Sequence, residues 1–179
     1  MNETVQLIPL VCVKCQTPIP AQPDEVAWVC EQCQQAQMLD DQHGLHAIQI
    51  QYAKGILANA RGKPFWVASG HVTLRARATY KGDQSTDAAA LWSTPRLFCI
   101  PAYEVSLEQL ADYGTRFLLQ PPAFQPGPPS RFEPVRVAPA DLQALGEFIV
   151  LSIEAGRRDD LREVQFELKL EDAQLWILP

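Results

Sequence analysis

The sequence predicts an α+β protein in which a small cysteine module precedes a mostly antiparallel β-sheet domain packed on two helices. Three observations carry that expectation. Two Cys-x-x-Cys pairs, Cys12/Cys15 and Cys30/Cys33, open the chain; several later runs alternate apolar and polar residues; and two stretches repeat apolar residues at helical spacing. The implied division is residues 1–44 for the module and its hinge and 45–179 for the larger domain, with a proline-rich connector at 120–139.

In the module, two residues between paired cysteines let a tight turn present both sulfurs to one ion, and two such turns complete a tetrahedron. Residues 16–29 separate the pairs. Pro18, Pro20 and Pro23 break the first half of that spacer, and Val26, Ala27, Trp28 and Val29 form a short strand leading into the second pair. Over residues 10–38 this pattern resembles the zinc-ribbon family. The resemblance implies one structural zinc ion held by Cys12, Cys15, Cys30 and Cys33, and it implies no substrate. Gln16 and Gln34 stand where such turns often carry glycine, and the fourteen-residue spacer is slightly short. Iron of the rubredoxin type is the other tetrathiolate reading, and redox thiols or disulfides the third. A closed four-sulfur shell leaves no position for water, which points away from catalysis by the metal.

Charge is distributed unevenly. The formal net charge is -6, and residues 1–44 hold most of it, with Lys14 alone against Glu3, Asp24, Glu25, Glu31, Asp40 and Asp41. Such a surface repels phosphate, since nucleic-acid binding depends on basic groups that displace condensed counterions. The amino terminus lacks a basic start, and no stretch nears the ~18 apolar residues a membrane span requires. A cytoplasmic protein is expected.

Residues 45–52 alternate roughly and residues 64–68 form a short apolar run with Phe65 and Trp66. Residues 72–80 alternate cleanly, which sets Val72, Leu74, Ala76, Ala78 and Tyr80 on one face and Thr73, Arg75, Arg77 and Thr79 on the other. Residues 97–102 read as an inner strand. A capping box, Ser106 with Gln109, starts a helix that Pro121 limits. Seven of the fifteen prolines then crowd residues 120–139, a stretch expected to lie extended in a groove of its own domain or of a partner. A second helix spans about 140–155, with Asp141 near its start and Arg157 and Arg158 past its end. Residues 164–170 and 174–178 read as a terminal β-hairpin. Leu175, Trp176, Ile177 and Leu178 are apolar on both faces, so that strand belongs in the centre of the sheet or under a covering surface.

Other reactive side chains each have a plain structural reading. His43 and His46 beside Asp40 and Asp41 fit a solvated hinge, with a second metal site as the alternative. His71 heads a strand without a nucleophile in motif with it, and Cys99 sits between Phe98 and Ile100 as a core thiol. Arg75, Arg77 and Lys81, if clustered with Lys63, Phe65 and Trp66, would make a basic and aromatic surface for nucleic acid; a charged strand exterior is the simpler account. No phosphate loop, nucleophile elbow or His-Glu metal motif is present, so no catalytic residue is assigned. The expected function is a non-enzymatic zinc-binding adaptor or accessory subunit that contacts another protein. A nucleic-acid-associated factor and an enzyme or electron carrier are the alternatives.

Overall fold

The computed structural model describes residues 8–179. The amino-terminal stretch noted for lacking a basic start lies mostly in residues 1–7, outside the described part. The described residues form an α+β fold of two sheets and three α-helices. A small sheet runs β1 (Ala27–Val29), β2 (Ala36–Asp40) and β3 (Gly44–Ala47), each antiparallel to its neighbour. The larger sheet contains β4 (Ile50–Tyr52), β5 (Lys63–Lys81), β6 (Arg96–Pro101), β7 (Asp160–Leu170) and β8 (Gln174–Leu178). The helices are α1 (Ser85–Trp92), α2 (Leu107–Leu119) and α3 (Leu142–Ala155).

The organising element is β5, nineteen residues long. Residues 64–68 and 72–80, read as separate strands, belong to this one element, and Ser69, Gly70 and His71 continue the ladder between them. Its first half lies between β8 and β6, so alternate residues serve different faces of the sheet. Trp66 packs with Phe98, Ile100, Leu175 and Ile149 of α3, whereas Phe65 and Val67 pack with Cys99, Tyr113, Phe117 and Trp176. Burial on both faces explains the unbroken apolar run there.

The terminal hairpin is not formed. β7 and β8 both pair antiparallel with β5, at Val72↔Leu168 and Phe65↔Trp176 for example, so they lie end to end along one edge of it. Glu171, Asp172 and Ala173 interrupt one long ribbon instead of reversing it, and the Glu171 N–H still donates to the Ser69 carbonyl at 2.8 Å. The expectation for Leu175, Trp176, Ile177 and Leu178 holds, because β8 is flanked by β5 and by parallel β4.

Residues 45–52 also divide differently. β3 pairs with β2 as Leu39↔Leu45 while β4 joins the large sheet as Gln51↔Trp176, so the single alternating run serves two sheets. The third helix, α1, packs Ala88 and Trp92 inward. α2 begins with the expected capping box: Ser106 Oγ accepts from the Gln109 N–H at 3.2 Å and Gln109 Oε1 accepts from the Ser106 N–H at 3.0 Å. It crosses α3 closely at Gly114, where a Cβ would stand 2.5 Å from the Ile149 side chain. α3 buries Leu142, Ile149, Val150 and Ile153, consistent with a core helix.

The proline-rich stretch lies against its own chain. Val135 bridges to Ala27 of the small sheet, Pro126 to Ala53, and Phe132 to Gly62, while the Phe124 ring meets Trp176 edge-on at 5.0 Å. Proline removes amide donors, yet the remaining backbone groups are used: the Val26 N–H donates to the Val135 carbonyl at 2.8 Å and the Arg136 N–H to the Ala102 carbonyl at 2.6 Å. This strap joins both sheets. Ala27 and Met38 of the small sheet share a core with Trp66 and Ile149.

Candidate metal centre

The two cysteine turns are built alike. In each, the residue after the second cysteine adopts a left-handed conformation, Gln16 at φ 63° and Gln34 at φ 60°. That conformation lets the Gln16 N–H donate to the Cys12 carbonyl and the Gln34 N–H to the Cys30 carbonyl, at 2.9 and 2.8 Å. The Cys12 and Cys30 amides close each turn on Thr17 and Gln35, at 2.8 and 2.9 Å. Glutamine here carries the strain that glycine would avoid.

These turns bring four sulfurs together. Cys12 Sγ lies 3.5 Å from Cys33 Sγ, Cys15 Sγ lies 3.5 Å from Cys30 Sγ, and all four lie within 4.8 Å of one another. A tetrahedral ion with metal–sulfur bonds of about 2.3 Å needs sulfurs about 3.8 Å apart, so the quartet is placed to hold a metal ion. All five cysteines are free thiols. Cys12 and Cys30 are buried and Cys15 and Cys33 half-buried. The Thr17 hydroxyl holds Cys15 down at about 6, whereas Cys33, despite the Gln35 amide, is pushed up to about 12 by burial and the neighbouring sulfurs. Four thiolates this close repel one another, which a divalent cation relieves. Gln37, fully buried, supports the first turn by accepting from the Val13 N–H at 2.9 Å. Nothing in the pattern of the sequence distinguished that glutamine from its exposed neighbours.

Of the other expected site residues, Asp40, His43 and His46 lie together, whereas Cys99, His71 and the basic residues do not join one site. Cys99 is fully buried in β6 and burial pushes its thiol up to about 12, as befits a core residue. His71 is exposed opposite Lys169. Phe65 and Trp66 are buried and cannot stack bases.

Arg75 and Arg77 do not share a face. The ladder passes from Leu74↔Phe166 to Ala76↔Gln165, leaving Arg75 as a bulge without an opposite residue. One extra residue exchanges the two faces: Tyr80 turns outward, 78% exposed, and the Arg77 side chain turns inward, 4% exposed. Arg75 pairs at the surface with Glu167 at 2.7 Å. Arg77 donates to Asp159 at 2.6 and 2.7 Å and to Glu154 at 2.9 Å, and Glu154 also accepts from Trp92 Nε1 at 2.8 Å and Arg157 Nε at 2.9 Å. This buried cluster joins β5, α1 and α3. Its one sequence signal is Glu154 itself, a charge four residues past Val150 on an otherwise apolar helix face.

Lys63 instead lies among aromatics. Its Nζ is 3.3 Å from the Tyr113 hydroxyl and 6.0 Å from the Tyr103 ring centre, while the Arg116 guanidinium sits 4.8 Å from the Phe117 ring centre. Neither cation has a carboxylate partner within 4.0 Å among the described residues.

Fold and site together define an α+β protein bearing a four-cysteine centre. Compared with known proteins, the chain matches no family model, no curated protein and no solved structure. No described helix is long and apolar enough to cross a membrane.

Proposed function

We propose that the protein is a non-enzymatic zinc-binding adaptor or accessory subunit, with residues 1–44 as the metal module, 45–179 as its body and β3 as the joint. Cys12, Cys15, Cys30 and Cys33 hold one zinc ion. The observation that carries this reading is the convergence of four sulfurs on turns whose backbone bonds are already satisfied, an arrangement suited to a closed, structural shell. Four soft thiolates in a tetrahedral setting suit zinc or rubredoxin-type iron, and zinc is the ion proposed. The acidic balance of residues 1–44 and the internal pairing of Arg75 and Arg77 support a protein partner over a phosphate backbone.

A second reading, a nucleic-acid-associated factor, has one observation in its favour: Lys63 and Arg116 lie among Tyr103, Tyr113 and Phe117 without carboxylate partners among the described residues. Two measurements separate the readings. Elemental analysis of a reduced preparation should give one tightly held zinc, and native affinity purification should recover a stoichiometric protein whose binding Cys30→Ser abolishes. Binding of single-stranded DNA at physiological salt, lost in Lys63→Glu with Arg116→Glu, would select the second reading. A red, iron-containing preparation would replace both with an electron carrier.

A further inference from the structure

We infer that Asp40, His43 and His46 form a second metal site, separate from the cysteines, that takes a divalent transition ion such as Zn2+. β2 ends at Asp40, the chain turns back, and the pairs Asp40↔Gly44 and Met38↔His46 set Asp40 and His46 as diagonal neighbours on one sheet face. Asp40 Oδ1 accepts from the Gln42 and His43 amides at 2.9 and 2.6 Å, which fixes the carboxylate. His43 Nδ1 is 3.2 Å from both Asp40 oxygens, and His46 Nε2 is 3.7 Å from Oδ2.

The tautomer of His46 decides the chemistry. Its Nδ1 lies 3.0 Å from the Gly44 carbonyl, which only accepts, so Nδ1 carries a proton and the neutral ring bears its lone pair on Nε2. A carboxylate oxygen and an imidazole lone pair then face each other across 3.7 Å, too far for a hydrogen bond and unfavourable without a positive charge between them. Ligands about 2.1 Å from a metal ion stand about 3.0–3.4 Å apart in octahedral or tetrahedral geometry, and the three donor atoms, all within 4.8 Å, fit round one ion with little movement. The backbone carbonyl behind His46 is the kind of outer partner that orients a ligating histidine. The side chains are 65%, 30% and 17% exposed for His43, His46 and Asp40, so an ion held by three protein atoms keeps open positions toward solvent. The cysteine centre offers none.

The competing account is a proton, an imidazolium of His46 paired with Asp40. Zinc titration of the full chain, its cysteine centre already loaded, separates the two at pH 7.5, above the ordinary histidine range. The expected result is a second equivalent by calorimetry and by elemental analysis after equilibrium dialysis, weakened by His43→Ala or His46→Ala by more than the about 10–100-fold that loss of an outer partner costs, while the first equivalent stays. Substituting Co2+ adds a check, since the thiolate charge-transfer band should be unchanged in both histidine variants, which also shows that they fold. A single equivalent in the wild type, or a second equivalent that survives the double histidine variant, overturns the assignment. Because Cys30→Ser addresses only the first ion, failure of the cysteine reading and failure of this one are read separately.

Discussion

At the amino-terminal end four sulfurs from two local turns converge, whereas at the far end of β5 the cluster of Arg77, Glu154 and Asp159 draws on positions 77 and 82 residues apart. Both bring together separate segments of the chain. They differ in how charge is balanced. Arg77 and Arg157 offset Glu154 and Asp159 within the protein, whereas under the proposed function the four crowded cysteines would be balanced by an ion from outside. A metal-dependent end and a self-neutral end should therefore respond to different insults.

The largest effect tests the first end. Cys30→Ser, or a strong chelator on the wild type, should release the ion and lower the melting temperature by on the order of 10 °C. Since Ala27 and Met38 share the main core and Val135 pairs with Val26, the loss should broaden the whole transition instead of sparing the larger domain. A chelator that removes the ion and leaves the melt unchanged would end the claim of external dependence.

Next comes the self-neutral end. Arg77→Ala strips Asp159 of its paired cation and Glu154 of one of its two, and should cost about 3–5 kcal/mol in urea unfolding while metal content stays at the wild-type level. Acid sharpens this. Arg77 holds Asp159 at about 2, below its ordinary 3.8, and the donors around Glu154 outweigh its burial and hold it low as well. Groups lowered on folding stabilise above their unfolded values, and that stabilisation is lost as pH falls from about 4 toward 2. The gap between wild type and Arg77→Ala should narrow across that window; a gap constant from pH 5 to 2 would show that the ion pairs are not its source. The smallest effect returns to the cysteine turns. Gln16→Gly relieves a left-handed glutamine and should stabilise by about 0.5–1 kcal/mol, measured with the metal bound.

What could be read in advance follows the same division. The cysteine pairs, the Ser106–Gln109 cap and the doubly apolar β8 express themselves within a few neighbouring residues, so the chain announces them. The bulge at Arg75 depends on what stands opposite in β7, and it is what turns Arg77 inward. α1 was hidden because it is eight residues long, its cap residue Gln84 makes no side-chain bond, and its run of three alanines carries little periodicity. Glu171, Asp172 and Ala173 resemble a reversal, and only the unbroken length of β5 shows that they continue a ribbon. The Asp40–His43–His46 group was visible as a spacing, but its tautomer was not, since that rests on the Gly44 carbonyl.

The proline strap sets an order of assembly. The cysteine turns are complete once synthesis has passed residue 35, yet the carbonyl that receives the Val26 amide belongs to Val135, about 100 residues further on. During synthesis the first sheet must wait, unseated, until the strap arrives, and contacts of such long sequence separation form slowly. Early capture of an ion would keep that waiting segment compact until its seat is made.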